Sequence, residues 1–302
     1  MKSIFRSGPW FWFYGTAATL ALAALAPAQA ATPTPAPGQI TLIPRYTAGA
    51  QLTYSVAIHS DLGGKATMDT AAEVAMRILP GATPGAFDAE LRFTQFSTTV
   101  HGDPAVLPGL QQQAAATDHA ALAMTPPRFR EAQGHFQVLA RQAGAAYDQP
   151  VEMLEELVRT DALPRGPTAV GARWSRHRTR QLPTMNTSVA LTLACHLAAV
   201  GTVAGQPAAT ITVRSQGDAP LPPNALPNSQ ALAAQGLVPE ATVAFDTTAT
   251  SVYRLADAVL LQSHSQTHNL MRIKLVGPSP QAGTQDSDIN SSATVKLEKI
   301  VN

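Results

Sequence analysis

Beyond residue 45 the apolar side chains keep a two-residue beat, and this constrains the fold more than any other feature of the sequence. Leu52, Tyr54, Val56 and Ile58 alternate with small or polar residues, the spacing of a β-strand with one dry face. The stretch 65–79 sets Met68, Ala72, Val74, Met76 and Ile78 on one face. After a turn-rich segment, Phe87, Ala89, Leu91 and Phe93 share a face, with Glu90 and Arg92 opposite. Phe96 falls out of phase, which predicts a bulge near Gln95. Asp61-Leu-Gly-Gly64, Pro80-Gly81 and Pro84-Gly85 supply the turn chemistry, so these runs read as an antiparallel meander.

The second half returns to the same beat. Strands are expected over 172–181 and 186–200. A turn at Val203-Ala-Gly-Gln206 leads into another at Ala208–Arg214. A long hairpin follows over 241–255 and 258–276, with Val295, Leu297 and Ile300 closing the sheet. A Pro-rich loop is expected over 216–228 and a polar, flexible stretch over 278–292. A further strand pair is expected over 129–142, around Gly134. The main helix is expected over 149–160. Asp148 caps it, Pro150 sits in the first turn, and Val151, Leu154, Leu157 and Val158 form an apolar stripe. Gln111 to Ala123 reads as an Ala-rich helix or as irregular chain, and Ser229–Gln235 as a short helix. There is no alternating strand–helix rhythm of the parallel kind. The fold class is therefore mainly β: a large curved antiparallel sheet or incomplete barrel with one main helix packed on it. A β-sandwich is the alternative, because it needs the same alternation. The domain reading is one β-rich unit, 45–302, made of halves 45–147 and 168–302 joined by the helix. Its two strand entries look alike: Thr47-Ala-Gly49-Ala-Gln-Leu52 and Ala169-Val-Gly171-Ala-Arg-Trp174.

The first thirty residues read as an export signal. Lys2 and Arg6 precede an uncharged run from Trp10 to Ala26, and Ala28-Gln29-Ala30 presents small residues for cleavage. That run is shorter than a ~30 Å hydrocarbon core requires, although its aromatic cluster suits a retained anchor as the alternative. Residues 31–44 read as a Pro-rich spacer. The expected location is the periplasm or the exterior, with membrane contact only transient unless the leader stays uncleaved. Of 21 lysines and arginines two leave with the leader, so the balance against 20 acidic residues is nearly even and gives no pull toward nucleic acid. The single cysteine, Cys195, excludes an intramolecular disulfide and sits in an apolar run, which reads as a buried strand residue.

Gly49-Ala-Gln-Leu-Thr-Tyr54, Leu163-Pro164 with Val170-Gly171-Ala-Arg-Trp174, and Val243-Ala-Phe245-Asp246 carry a resemblance. On these residues the chain resembles a loose group of uncharacterised exported bacterial proteins. Their architecture is in turn similar to the curved-sheet lipoprotein carriers. The resemblance implies a curved sheet. The chain departs from lipidated relatives in having no lipid-attachment cysteine.

The residues offer no catalytic set. G-x-S-x-G is absent, and Leu62-Gly-Gly-Lys65 lacks the spacing of a phosphate loop. His264 and His268 stand four apart in an expected strand, about 13 Å, too far to share one ion, so no metal is expected. Glu152, Glu155 and Glu156 read as the solvated face of the helix. In Arg173-Trp-Ser-Arg-His-Arg-Thr-Arg180, Trp174, Arg176, Arg178 and Arg180 share one strand face. With Arg173 these cations could grip an anionic partner, or they could block aggregation at a sheet edge. Leu52, Tyr54, Val56, Ile58, Phe93 and Trp174 are the candidate lining of an apolar site. The expected role is an exported, non-enzymatic envelope protein that binds an apolar small molecule or an envelope component on its sheet face, with no cofactor. The alternative is an interaction protein with a filled core, docking through an edge or the arginine strand. A continuous cavity of at least ~300 Å³ would favour the first.

Overall fold

The computed structural model describes residues 38–80, 86–132, 135–142, 144–182, 187–222, 229–234, 236–277 and 283–301. The leader, Gly81, the Pro84-Gly85 turn and Gly134 lie outside them. The strands are β1 (Gln39–Ile40), β2 (Gln51–Asp61), β3 (Ala66–Leu79), β4 (Ala86–Gly102), β5 (Arg128–Ala132) and β6 (His135–Ala140) in the first half. In the second half they are β7 (Thr168–Ala169), β8 (Arg173–Leu182), β9 (Thr187–Val203), β10 (Gln206–Leu221), β11 (Val238–Arg254), β12 (Leu260–Val276) and β13 (Gly283–Val301). The helices are α1 (Leu107–Ala123), α2 (Ala145–Val158) and α3 (Ser229–Ala234).

The long strands form one 11-stranded antiparallel sheet in the order β6-β5-β4-β3-β2-β13-β12-β11-β10-β9-β8. Each half is a meander, and β13 joins them by pairing with β2. The sheet is not closed into a barrel, which agrees with the expected large antiparallel sheet. The bulge near Gln95 is present: Glu73 faces Gln95 while Val74 faces Phe93, leaving Thr94 extra, and Phe93 meets Phe96 edge-on at 4.9 Å.

The two similar strand entries fold alike. Gly49 (φ +91°) and Gly171 (φ +90°) take a backbone that an L side chain resists. Their amides donate to the Ile78 and Leu197 carbonyls at 2.9 and 2.8 Å. Ile78 and Leu197 donate back to Ala50 and Ala172 at 2.9 and 3.0 Å. Each half thus opens with the same clasp onto its second strand.

Several expectations are corrected. α2 begins at Ala145, behind Gly144 at φ +134°, so Asp148 lies inside it and Pro150 falls in its second turn. The stretch 216–221 is not loop but the end of β10. Past Gln216, among the described residues, β10 pairs with β11 alone, a setting that tolerates Pro220. The polar stretch 283–292 is strand, held between β12 and β2. Part of the Pro-rich spacer is packed as well: Gln39–Ile40 pairs with Thr168–Ala169, and Leu42 is 2% exposed.

The outward face of the sheet is solvated and laced with cross-strand pairs, among them His59–Asp69 (2.8 Å), Arg130–Asp88 (2.7 Å) and Arg272–Asp286 (2.9 Å). The inward face carries two apolar cores. One gathers Leu52, Tyr54, Val74, Met76, Phe87 and Leu91 from β2–β4 under Leu154 and Leu157 of α2. The other gathers Val189, Leu191, Val243, Phe245, Met271 and Ile273 from β9–β12, with Leu232 of α3 and Leu110 of α1.

Candidate functional site

The two cores are separated by a belt of small and hydroxylic residues. Strand register sets Ser215, Thr247, Thr267, Ser291 and Ser60 side by side on consecutive strands β10, β11, β12, β13 and β2. The next inward-facing row on β11–β13 is Ala249, Ser265 and Ala293. The row after that brings Ser251 opposite Ser263. Thr247 and Thr267 bond to each other at 3.0 Å, and Ser251 and Ser263 at 2.9 Å. Ser265 has alanine across from it on both sides, so no cross-strand hydroxyl meets it.

Small side chains on the belt leave a cavity of about 230 Å³ between the sheet and the end of α2. Its floor is Thr247, Ala249, Ser251, Ser263, Ser265 and Thr267. Val56, Ile58, Leu157, Leu260 and Val295 form apolar walls. Of the sequence candidates for the lining, Val56 and Ile58 reach the cavity. Leu52 (1% exposed), Tyr54 (0%) and Phe93 (6%) are spent in the core. Trp174 is half-buried and packs against both cores.

The roof is ionic. Glu152 and Glu155 are 4% and 1% exposed, which corrects their reading as a solvated face; α2 is enclosed on all sides over 150–155. Their charges are met from β8 and from the residue after the helix. Arg180 Nη2 donates to Glu152 Oε1 at 3.3 Å, and its guanidinium lies 4.6 Å from the Phe245 ring centroid. Arg178 Nη1 is 3.2 Å from Glu156 and 3.5 Å from Asp161. Arg159 Nη2 donates to Glu155 Oε2 at 3.3 Å, with its guanidinium 4.0 Å over Phe136. Phe136 belongs to β6 and Arg178 to β8, so the end of α2 bridges the two ends of the open sheet. Glu156 lines the cavity and keeps 40% side-chain exposure.

Burial pushes Glu155 up to about 7 against the pull of Arg159, and raises Glu152 well above the usual carboxylate range against the pull of Arg180. Burial would raise Glu156 too, but Arg178, Arg159 and Arg180 outweigh it and hold that carboxyl low. The folded state therefore keeps a proton on Glu155 that the unfolded chain releases. The corresponding stability is fully present below the ordinary carboxyl range and is lost as pH rises through about 7. Stability is expected to fall by roughly 2 kcal/mol between about pH 5 and about pH 7, near 1.4 kcal/mol per unit for one proton. Urea unfolding across that window measures it. Glu155→Gln should flatten the slope by about one proton; an unchanged slope would show that Glu155 is not the group.

The remaining sequence candidates lie elsewhere. Arg173 is exposed, and Arg176 Nη1 donates to the Ser175 carbonyl at 3.0 Å. His264 and His268 sit on the outer face of β12. His264 is 3.3 Å from Thr294 and His268 is 2.7 Å from Asp288. Cys195 is buried in β9, its thiol pushed up to about 11 by burial. The hydroxyl belt was missed in sequence because its residues, read strand by strand, look like solvated faces.

No protein-family model matches the chain, and no curated protein matches it. One solved structure to which the chain is distantly similar concerns lipid–protein interactions in lipovitellin. It is 12% identical, with a TM-score of 0.45, over 85% of this chain and 26% of that one. The chain thus spans about a quarter of that protein's length, and at this TM-score the likeness carries no weight for function.

Proposed function

We propose that this is an exported, non-enzymatic envelope protein that binds an apolar ligand in the cavity between α2 and the concave sheet face. The leader pattern of residues 1–30 supports export. The cavity itself carries the binding reading. At about 230 Å³ it falls short of the ~300 Å³ set from sequence. It exceeds the roughly 150 Å³ that holds a benzene ring, so it suits one short chain or one ring rather than a lipid with several chains. The docking alternative keeps only Arg173 and Arg176 of its four arginines, because Arg178 and Arg180 turn inward onto Glu156, Asp161 and Glu152.

Native mass spectrometry of the protein purified from its own envelope tests the reading. A bound apolar molecule that is absent from Ala249→Leu is the expected result. Ala249 lies on the cavity floor, so the added carbons fill the space a ligand would take while the fold keeps its melting temperature. A wild-type protein that carries nothing, and takes up no added alkyl compound, would sink the proposal.

A further inference from the structure

The unpartnered groups at the roof of this cavity say what kind of polar group its ligand bears. Arg159 Nε, Arg178 Nε and Thr160 Oγ1 are buried without a hydrogen-bond partner among the described residues, and all three side chains line the cavity. Arg159 Nε stands 3.8 Å from Glu156, beyond hydrogen-bond reach. Thr160 is 6% exposed and the Arg159 side chain 7%. Each of these atoms carries a hydrogen to donate. The acceptors in the same wall, Glu156 and Asp161, are already engaged by Arg178. Glu155 also has an unpartnered oxygen, but it is not part of the cavity wall. Buried donors without acceptors are costly and rare, and several gathered at one cavity call for an acceptor from outside.

Resting on the binding role above, we propose that the ligand is a single-chain amphiphile with an anionic oxygen headgroup, a carboxylate or a phosphate. The headgroup is received by Arg159, Arg178 and Thr160. Stacking on Phe136 fixes the plane of the Arg159 guanidinium, so its open N–H is already oriented. The chain then runs along Val56, Ile58, Leu260 and Val295 beside the hydroxyl belt.

Calorimetric titration of the delipidated full-length protein tests this with octanoate, octyl phosphate, octanol, acetate and inorganic phosphate. Octanoate or octyl phosphate is expected to bind at least roughly ten-fold more tightly than octanol, the worth of a charge-assisted hydrogen bond. Acetate and inorganic phosphate should bind far more weakly than either. Thr160→Val removes an unpartnered hydroxyl at constant shape, so it should fold with an equal or higher melting temperature. It should nonetheless weaken binding of the anionic probe about five-fold or more and leave octanol unchanged. A merely structural threonine would not separate these readouts. Octanol binding as well as octanoate would overturn the headgroup while leaving the cavity reading intact. Acetate or phosphate binding as tightly as the alkyl anions would overturn the amphiphile in favour of a free-anion site. Failure of every alkyl probe would overturn the binding role itself.

Discussion

Arg180→Ala is expected to lower the free energy of unfolding by about 3–5 kcal/mol, because it strips the partner from a buried carboxyl. Arg180 and Glu152 face each other at 3.3 Å with side chains 7% and 5% exposed. Burial pulls the two in opposite directions, Glu152 upward and Arg180 downward, so desolvation outweighs their mutual attraction. The pair as a whole is then worth little to stability. The double replacement Arg180→Met with Glu152→Leu should match the native protein or exceed it by about 1–4 kcal/mol. Urea unfolding followed by circular dichroism measures both variants. A loss under about 1 kcal/mol for Arg180→Ala would mean that solvent reaches the pair.

Tyr54→Ala should cost about 3–5 kcal/mol, whereas Tyr54→Phe should cost nothing or stabilise slightly. The ring is fully buried among β2–β4 and α2, so its removal leaves a void. Its hydroxyl is buried without a partner among the described residues, and burial raises its ionisation well above the ordinary range. The same unfolding assay separates the two substitutions. A loss above about 1 kcal/mol for Tyr54→Phe would reveal a hydrogen bond at that hydroxyl. The contrast also marks where filled core ends and cavity begins on β2, between Tyr54 and Val56.

The strands that carry their own alternation were legible. Leu52 to Ile58, Val74 to Ile78 and Phe87 to Phe93 fold as expected, down to the extra residue at Thr94. The clasp at Gly49 and Gly171 was visible as a repeat of spacing, though only hydrogen bonding to Ile78 and Leu197 shows it to be one device used twice. The polar part of β13 was not legible. Its inward side chains around Ile289 are Ser287 and Ser291, and it is a strand because β12 and β2 take up its backbone on both sides.

The site divides in the same way. Val56 and Ile58 were named from their own alternation, and they line the cavity. By themselves Glu152 and Glu155 read as water-facing, and Arg178 and Arg180 as cations open to an anionic partner or guarding a sheet edge, because a charged side chain is solvated unless a counter-charge is at hand. Here the counter-charges come from a different element. Arg180 meets Glu152 28 residues away, and neither residue's neighbours announce the other.

Taken alone, the order of amino acids settled which segments would become ribbons and which face of most would be dry, because that information repeats within a few residues. It left open what lies opposite each polar side chain. Stacking Ser60 beside Ser291, Thr267, Thr247 and Ser215 requires strands from both ends of the chain in one register. Only the folded sheet makes that row into a cavity floor and turns the arginines of β8 into its roof.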